Sequence, residues 1–532
     1  MYFLWFNTAL TKTKQITFTI MKARFRDSMT WLHTWAGLVV GWILFAVFLT
    51  GTLAYFQFEI TQWMLPDAKQ NATPEQAVAQ AQGYLQEHAP DSPGWSITLP
   101  DERSTTTTIF WRDPNASNGR GFEFAVLDGD GKKIEQRETR GGNFLYRFHF
   151  DLHYMPVFIA RWLVGICAML MLIAIVTGVV IHKKIFKDFF TFQPGKGPRS
   201  WLDGHTITSV LALPFHFMIT YTGLVTLMLM YMSSAVSLSY GDRGEFFNDL
   251  QSQPPALQAS GESADLADLQ ELYFKAREDI KGNPIRLAQI SNPGDKNAVV
   301  AFYEAPTQSL MSDYTTLTYS AVSGEQLHAQ PVENSAELTR RTMIGLHAGR
   351  FADTQLRWLY FFSGILGTLM IATGLVLWFE KRRKKLQANG NLSFGHYLVS
   401  GLNAGFIMGL PLAVATYFLS NRLLPIAADN RAELEIAWFF FGWLLMVCYP
   451  LLRGAKKTWR DGALLNALAY LSLPFISIIT VDRHLMNYQY PRDWPLFGMD
   501  ISFILTAAAF LGLTWYLFRK WNSKETQNDV ER

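Results

Sequence analysis

Cysteine is nearly absent from this 532-residue chain, which contains only Cys167 and Cys448. Both lie inside long apolar segments, so no disulfide framework is expected in the polar segments between them. The chain also lacks a glycine-rich dinucleotide fingerprint and a P-loop, which leaves binding of NADPH, a flavin nucleotide or ATP without support. The net charge is only +3 and gives no indication of nucleic-acid binding.

Apolar residues are abundant instead, at 49% of the chain. A helix needs about 20 apolar residues to cross a bilayer of about 30 Å, and eight segments satisfy this requirement. The sequence therefore predicts a polytopic α-helical membrane protein with about eight transmembrane helices. The predicted spans are 31–56, 157–182, 205–232, 357–380, 396–419, 434–453, 462–481 and 499–518.

Basic residues cluster at one end of these spans, in segments such as the loop 183–204 and the run 381–385. Because short positively charged loops stay in the cytoplasm, both chain termini are expected there. Residues 1–30 form a cytoplasmic N-terminal segment that lacks the small-residue cleavage site of a signal peptide. The basic flank begins after Met21, so either Met1 or Met21 can be the native start.

Two long polar regions, 57–150 and 233–350, interrupt the first four spans and are expected on the periplasmic side. Each has a helix signal followed by strand signals, which predicts two small α+β modules with antiparallel sheets. The predicted helices are 75–88 and 264–279; the predicted strands are 95–99, 105–112, 120–127, 285–291, 297–304, 313–320 and 325–330. The four spans in 395–520 are predicted to form an appended bundle of unassigned role.

Histidines recur at matching places in this duplicated arrangement. His33 and His205 begin the first and third spans, and a Thr-Gly pair follows each at the same distance. His153 and His347 precede the second and fourth spans, which carry Arg-Trp and Thr-Gly pairs at equal spacing. Histidine is costly in hydrocarbon and is a common metal ligand. The pattern predicts two histidine pairs, one at each membrane face, as two six-coordinate haems require.

Other residues leave alternatives open. His149 lies one helical turn before His153, so either can be the ligand, and the Leu-His context that His153 shares with His347 favours His153. His216 lies deeper than His205 on the same helix face, as an alternative ligand, a polar relay or a core residue. Arg161 and Arg357 occupy equivalent positions, where they either bind haem propionates or extend towards lipid headgroups.

Several longer motifs resemble the PepSY-associated transmembrane family over about residues 22–380. They are TWLHTWAGLVVGW, FHFDLHYMP, ARWLVGI, TGVVIHKKIFKDFFTFQPGKGPRSWLDGH, LALPFHFMITYTGL and LHAGRF. The resemblance implies PepSY-like modules, a bacterial inner-membrane location and b-type haems, since the family includes iron-regulated proteins and ferric-siderophore reductases. Thr34 and Thr206 follow His33 and His205 where many members have arginine, so any contact from those arginines is absent.

The resemblance suggests a reaction sequence. A cytoplasmic or quinone-pool donor would reduce a haem held by His33 and His205, and the electron would reach a second haem held by His153 and His347. The acceptor would be a ferric siderophore or other ferric chelate in the periplasm. Two rivals are a siderophore or iron permease, which would bind no chromophore, and a non-catalytic sensor or protease regulator, in which replacing the four histidines would be harmless.

Overall fold

The computed structural model describes most of the chain. The described residues are 2–67, 72–101, 103–104, 106–113, 121–182, 197–241, 245–246, 257–305, 310, 316–329, 335–388, 393–490 and 493–530. Most of the predicted basic loop 183–204, as well as residues 105, 120, 313–315 and 330 of the predicted strands, lie outside these ranges.

The first half of the repeat combines two long helices with a helix-and-strand insertion. Its elements are α1 (Tyr2–Ala54), α2 (Gln57–Met64), α3 (Pro74–His88), β1 (Gly94–Thr98), β2 (Thr107–Arg112), β3 (Phe122–Leu127), α4 (Gly141–Asp151) and α5 (Val157–Ile181). Helix α3 begins at a capping box, in which Thr73 and Gln76 each accept a hydrogen bond from the other's backbone N–H.

The second half repeats this order with a broken first helix. Its elements are α6 (Pro198–Leu211), α7 (Leu213–Thr226), α8 (Met228–Tyr231), α9 (Ser233–Ser239), α10 (Leu269–Asp279), β4 (Ile285–Ser291), β5 (Val299–Glu304), β6 (Thr316–Ser320), β7 (Gln326–Ala329), α11 (Ser335–Ala348) and α12 (Thr354–Ala388). Helices α6 and α7 meet at an angle of 69° beside Pro214, whose ring prevents a continuous helical hydrogen-bond ladder.

Three further helices complete the chain: α13 (Phe394–Leu423), α14 (Arg431–Thr480) and α15 (Trp494–Val530). Together they are called the C-terminal bundle below. Helix α14 has 50 residues but is interrupted at Gly454, whose φ of 71° is not helical. The two predicted spans 434–453 and 462–481 lie on either side of this break.

Within the described residues, six helices are long and apolar enough to cross a membrane, or seven if α6 and α7 together form one span. These helices contain the predicted spans 157–182, 357–380, 396–419 and 499–518 nearly completely. The predicted span 31–56 falls at the end of α1, whose membrane-compatible part is Arg24–Ala54. The predicted span 205–232 runs across the α6–α7 bend into the short α8.

The strands differ from the prediction of two separate modules, because they form one continuous sheet. All seven pair antiparallel in the order β3-β2-β1-β4-β5-β6-β7. The halves join where β1 pairs with β4, with Trp95 opposite Ile290 and Ile97 opposite Ala288. Pairing the two inner edges covers strand edges that separate modules would leave exposed.

Helices α3 and α10 cover one face of this sheet and share its hydrophobic core, which includes Trp95, Ile97 and Tyr273. The Gln82 amide connects the halves, because it donates to the Ala267 carbonyl at 3.1 Å and accepts from the Leu269 N–H at 2.9 Å. We call this unit the sheet domain.

Candidate functional site

Two cavities lie between the helices of the duplicated halves, and in each of them one histidine from the first half lies close to one from the second. A cavity of about 560 Å³ is lined by His33 of α1 and His205 of α6, whose ring centroids are 6.2 Å apart. A second cavity of about 440 Å³ is lined by His149 of α4 and His347 of α11, with ring centroids 6.1 Å apart. We name them the His33 cavity and the His347 cavity.

His149, and not His153, is therefore the residue opposite His347, which corrects the preference drawn from the Leu-His context. The prediction assumed that residues 149 and 153 share one helix face. Helix α4 ends at Asp151, and Leu152 and His153 both adopt left-handed backbone with φ of 51° and 55°. The His153 ring consequently turns to the C-terminal bundle, stacks on Phe440 at 5.8 Å and lies 3.8 Å from Glu433.

Each of the four cavity histidines is fixed by a backbone carbonyl of its own half. The Nδ1–H groups donate as follows: His33 to Ala174 at 2.9 Å, His205 to Met370 at 2.9 Å, His149 to Val47 at 2.6 Å and His347 to Ile219 at 3.0 Å. Because a carbonyl only accepts, Nδ1 must carry the proton and Nε2 keeps its lone pair. Within the described residues, no hydrogen bond reaches these Nε2 atoms. This is the tautomer that a metal-binding imidazole needs.

The imidazoles pack against the Thr-Gly pairs of the repeat, which we call the Thr-Gly seats. In every case, the accepting carbonyl belongs to the residue four positions before the glycine of a Thr-Gly pair. A Cβ at these glycines would lie against the histidine ring, at 2.6 Å for Gly51 and His149, 2.9 Å for Gly223 and His347, 3.1 Å for Gly374 and His205, and 3.2 Å for Gly178 and His33. A larger residue would therefore displace the imidazole. This requirement explains why the Thr-Gly pairs recur at equal spacings in the sequence.

The threonines of these pairs satisfy their hydroxyls within their own helices. Each donates to the carbonyl four residues earlier, as Thr50 does to Ala46 and Thr177 does to Ile173, both at 2.7 Å. Thr222 and Thr373 repeat the pattern with Met218 and Leu369. The Thr222 hydroxyl oxygen also lies 3.2 Å from Nδ1 of His347. A polar hydroxyl is thus kept beside the ring without exposing an unsatisfied group to hydrocarbon.

The distance between the ring centroids in each pair, 6.2 and 6.1 Å, fits a metal bound by both imidazoles. Two metal–nitrogen bonds of about 2 Å, with roughly 1 Å from each nitrogen to its ring centre, separate such centroids by about 6 Å. Among the described residues, no group of three or more His, Cys, Asp or Glu side chains could hold a bare metal ion. Two imidazoles alone suit a metal whose remaining positions are filled by a macrocycle, as in haem.

Burial keeps the imidazoles of His149 and His347, the pair in the His347 cavity, neutral. It lowers the pKa of His149 and lowers the pKa of His347 to about 4, the nearby His149 adding to the effect at His347. Both helices that carry these residues lie outside the membrane-spanning candidates. Neutral imidazole is the ligating form, so both side chains are ready to bind a metal at physiological pH.

The two arginines singled out in the sequence have different positions. Arg161 lines the His347 cavity and donates to Asp151 at 2.8 Å. Arg357 is absent from the lining of either cavity and donates to Glu59 at 3.1 Å. The cavity is instead lined by Arg103, which also binds Glu59, and by Arg350, which follows His347 in the LHAGRF motif. Arg103 had no sequence signal, because it belongs to the sheet domain.

The His33 cavity has its own basic residues at one end, Lys381 and Arg382. The Arg382 guanidinium lies 4.0 Å from the ring centre of Trp378 and 5.3 Å from that of Trp35. Such cation–π contacts hold the guanidinium at this end of the cavity.

His216 is completely buried in the wall of the His33 cavity. Among the described residues, neither ring nitrogen has a hydrogen-bond partner, although the backbones of Ser209 and Ser363 lie nearby. Its ring is edge-on to Phe48, which lines the other cavity. The structure therefore brings His216 to the first cavity and separates it from the His149–His347 pair.

Only a thin partition separates the cavities. Leu44 of α1 and Met171 of α5 line both of them. The two histidine pairs thus occupy successive levels of one helix bundle.

These features define a multi-pass membrane protein with a duplicated pair of histidine-lined cavities, and the chain belongs to a known family. The family model for the PepSY-associated TM region matches residues 30–381, which include all four cavity histidines. The chain is also similar to the uncharacterized protein PA4219 of Pseudomonas aeruginosa, with 23% identity over 388 residues that cover 67% of this chain and 91% of that protein. The C-terminal bundle lies beyond the family match.

Proposed function

We propose that this chain is a bacterial inner-membrane electron-transfer protein that binds one b-type haem in each cavity and reduces a ferric chelate, such as a ferric siderophore, in the periplasm. The observation that carries the proposal is the pair of facing imidazoles in each cavity, all four held on backbone carbonyls with Nε2 available. His33 and His205 would hold the haem iron in one cavity, and His149 and His347 would hold it in the other. A bound haem supplies a reversible one-electron change at its iron.

The chain's own contribution is to hold the ligands rigidly and to exclude water. Backbone carbonyls and the Thr-Gly seats fix the ring orientations, so little rearrangement accompanies a change of charge between the imidazoles. Leu44 and Met171 keep the two sites apart by a single layer of side chains, which supports electron movement across the bilayer without a large conformational change.

The direction of transfer follows from topology. We propose eight spans, counting α6 with α7 as one and dividing α14 at Gly454, with both termini in the cytoplasm. Lys381 and Arg382 lie at the mouth of the His33 cavity, and the positive-inside rule assigns that mouth to the cytoplasmic face. A cytoplasmic or quinone-pool donor would then deliver electrons there.

The position of the sheet domain supports the proposal that the electron acceptor binds near the His347 cavity. Arg103, from the loop after β1, lines the His347 cavity and donates to the Tyr55 carbonyl at 2.9 Å, so the sheet domain contributes to the wall of this cavity. An electron leaving that cavity would convert ferric to ferrous iron in a chelate held near the domain. Hard oxygen donors bind the less charged ion more weakly, so reduction would release the iron for acquisition.

The experiment is a reoxidation measurement on the purified protein. Dithionite-reduced protein mixed anaerobically with a ferric siderophore is expected to lose its reduced absorption bands, whereas the redox-inert gallium complex of the same siderophore should leave them unchanged. His347→Ala is expected to slow reoxidation by at least about tenfold, because one ligand pair is broken.

Reoxidation that is no faster with the ferric chelate than with its gallium analogue would contradict the reductase proposal. A colourless protein that transports the chelate in vesicles would favour a permease instead.

A further inference from the structure

The C-terminal bundle, which lies beyond the family match, makes its most extensive polar contact with the segment that begins α4. The Tyr417 hydroxyl donates to the Gly141 carbonyl at 3.0 Å. The Arg431 guanidinium donates to the Glu138 carbonyl at 3.0 Å, and the Thr139 hydroxyl donates to the Glu435 carboxylate. Residues 138, 139 and 141, at and just before the start of α4, are thereby tied to α13 and α14.

Aromatic packing continues this contact along α4. Phe144 and Phe148, one helical turn apart, both pack against Phe439, with ring centroids at 5.1 and 5.4 Å. Phe144 also contacts Tyr417 at 5.0 Å, and Phe148 contacts Trp443 at 6.0 Å. His149, the next residue, turns about 100° from Phe148 and reaches α1 and the cavity.

The ionic part of this contact is fully buried. Arg431 and Glu435 have no exposed side-chain surface and form an ion pair with each other. Burying two charges is costly unless each is fully hydrogen-bonded, and removing one partner leaves an uncompensated buried charge. Further hydrogen bonds of Arg431 and Glu435 join the pair to Asn421 within the bundle and to residues 138 and 139 before α4.

The other short histidine helix provides an internal comparison. Helix α11, which carries His347, packs on α7 of its own half. Its buried Glu337 pairs with Arg340 and Arg341 of the same helix. In the described part of the chain, the two helices are thus supported differently, although they occupy equivalent places in the repeat.

We propose that the C-terminal bundle is a positioning element for His149, with Tyr417, Phe439 and Glu435 holding α4 against α1 so that the imidazole stays seated on the Val47 carbonyl opposite His347. On the side of α2, Gly142 packs so closely on the backbone of Gln57, the first residue of that helix, that no side chain fits between them. Helix α4 is therefore clamped from both sides. The proposal depends on the proposed function only in treating His149 as a ligand.

The test is hydrogen exchange measured by mass spectrometry on the full-length protein in nanodiscs. Tyr417→Phe removes one buried hydroxyl, and exchange of the α4 amides and of the His149 ring C2 proton is expected to accelerate about tenfold relative to α11 and His347. Tyr470→Phe is the matched control, because its hydroxyl donates to the Pro411 carbonyl at 2.9 Å inside the bundle. This control should leave α4 unchanged. Phe439→Ala should accelerate α4 further than Tyr417→Phe.

Unchanged exchange in α4 for both Tyr417→Phe and Phe439→Ala would overturn the proposal. Equal acceleration in α4 and α11, or an equal effect of Tyr470→Phe, would also overturn it, since the bundle would then support the membrane domain as a whole. Hydrogen exchange can be measured whether or not the protein binds haem. A colourless protein with selectively accelerated α4 would contradict haem binding while supporting the positioning role.

Discussion

His149→Ala is expected to remove one of two bound haems, whereas His153→Ala is expected to leave both in place. The His149 ring faces His347 at 6.1 Å with its Nδ1–H on the Val47 carbonyl, while His153 is turned away towards Phe440 and Glu433. Losing one of two axial imidazoles of a pair should release the haem or abolish its low-spin spectrum. The measurement is the haem-to-protein ratio together with the reduced absorption spectrum of each variant.

The two substitutions control for each other, because both remove one imidazole from the same short stretch of chain. Loss of a haem in His153→Ala with an unaffected His149→Ala variant would show that the left-handed turn after α4 has another conformation in the loaded protein. The assignment of the pair would then be wrong.

Gly51→Ala is expected to have the second largest effect, although it adds only a methyl group. A Cβ at this position would lie 2.6 Å from Cε1 and Nδ1 of His149, well inside the contact distance of about 3.5 Å. The half-buried ring cannot move away without losing its hydrogen bond to Val47, so occupancy of the His347 cavity should fall severalfold. Haem content and the low-spin band intensity report this loss.

A graded control comes from a second Thr-Gly glycine, in the other cavity, and from a glycine outside the sites. Gly178→Ala, with a closest approach of 3.2 Å to His33, should affect its own cavity less than Gly51→Ala affects the other. Gly512→Ala should have no effect, because no described atom lies within 4 Å of a Cβ built there. Equal haem content in all three variants would contradict the interpretation of the Thr-Gly pairs as histidine seats.

Local sequence patterns anticipated much of the architecture because apolar length and helix caps act over short distances. The spans around 157–182 and 396–419 and the helix beginning after Thr73 are cases of this kind. His33 and His205 were recognisable as a pair because each begins an equivalent span, and the duplication itself implied that they meet.

Features that depend on one backbone angle or on remote pairing were not accessible. The choice between His149 and His153 was decided by left-handed φ values at residues 152 and 153, a conformation that is uncommon for residues other than glycine and that no local pattern predicted. The joining of β1 to β4 depends on strands that are far apart in the chain. The replacement of Arg357 by Arg103 as a cavity residue has the same origin, since it follows from how the sheet domain sits on the helices.

The most direct test of two bis-histidine sites is the haem content and spectrum of the full-length protein expressed with ample haem supply. Two b-type haems per chain are predicted, both low-spin, with His205→Ala losing one and His347→Ala losing the other. A colourless protein, or a single haem that survives both substitutions, would contradict the account.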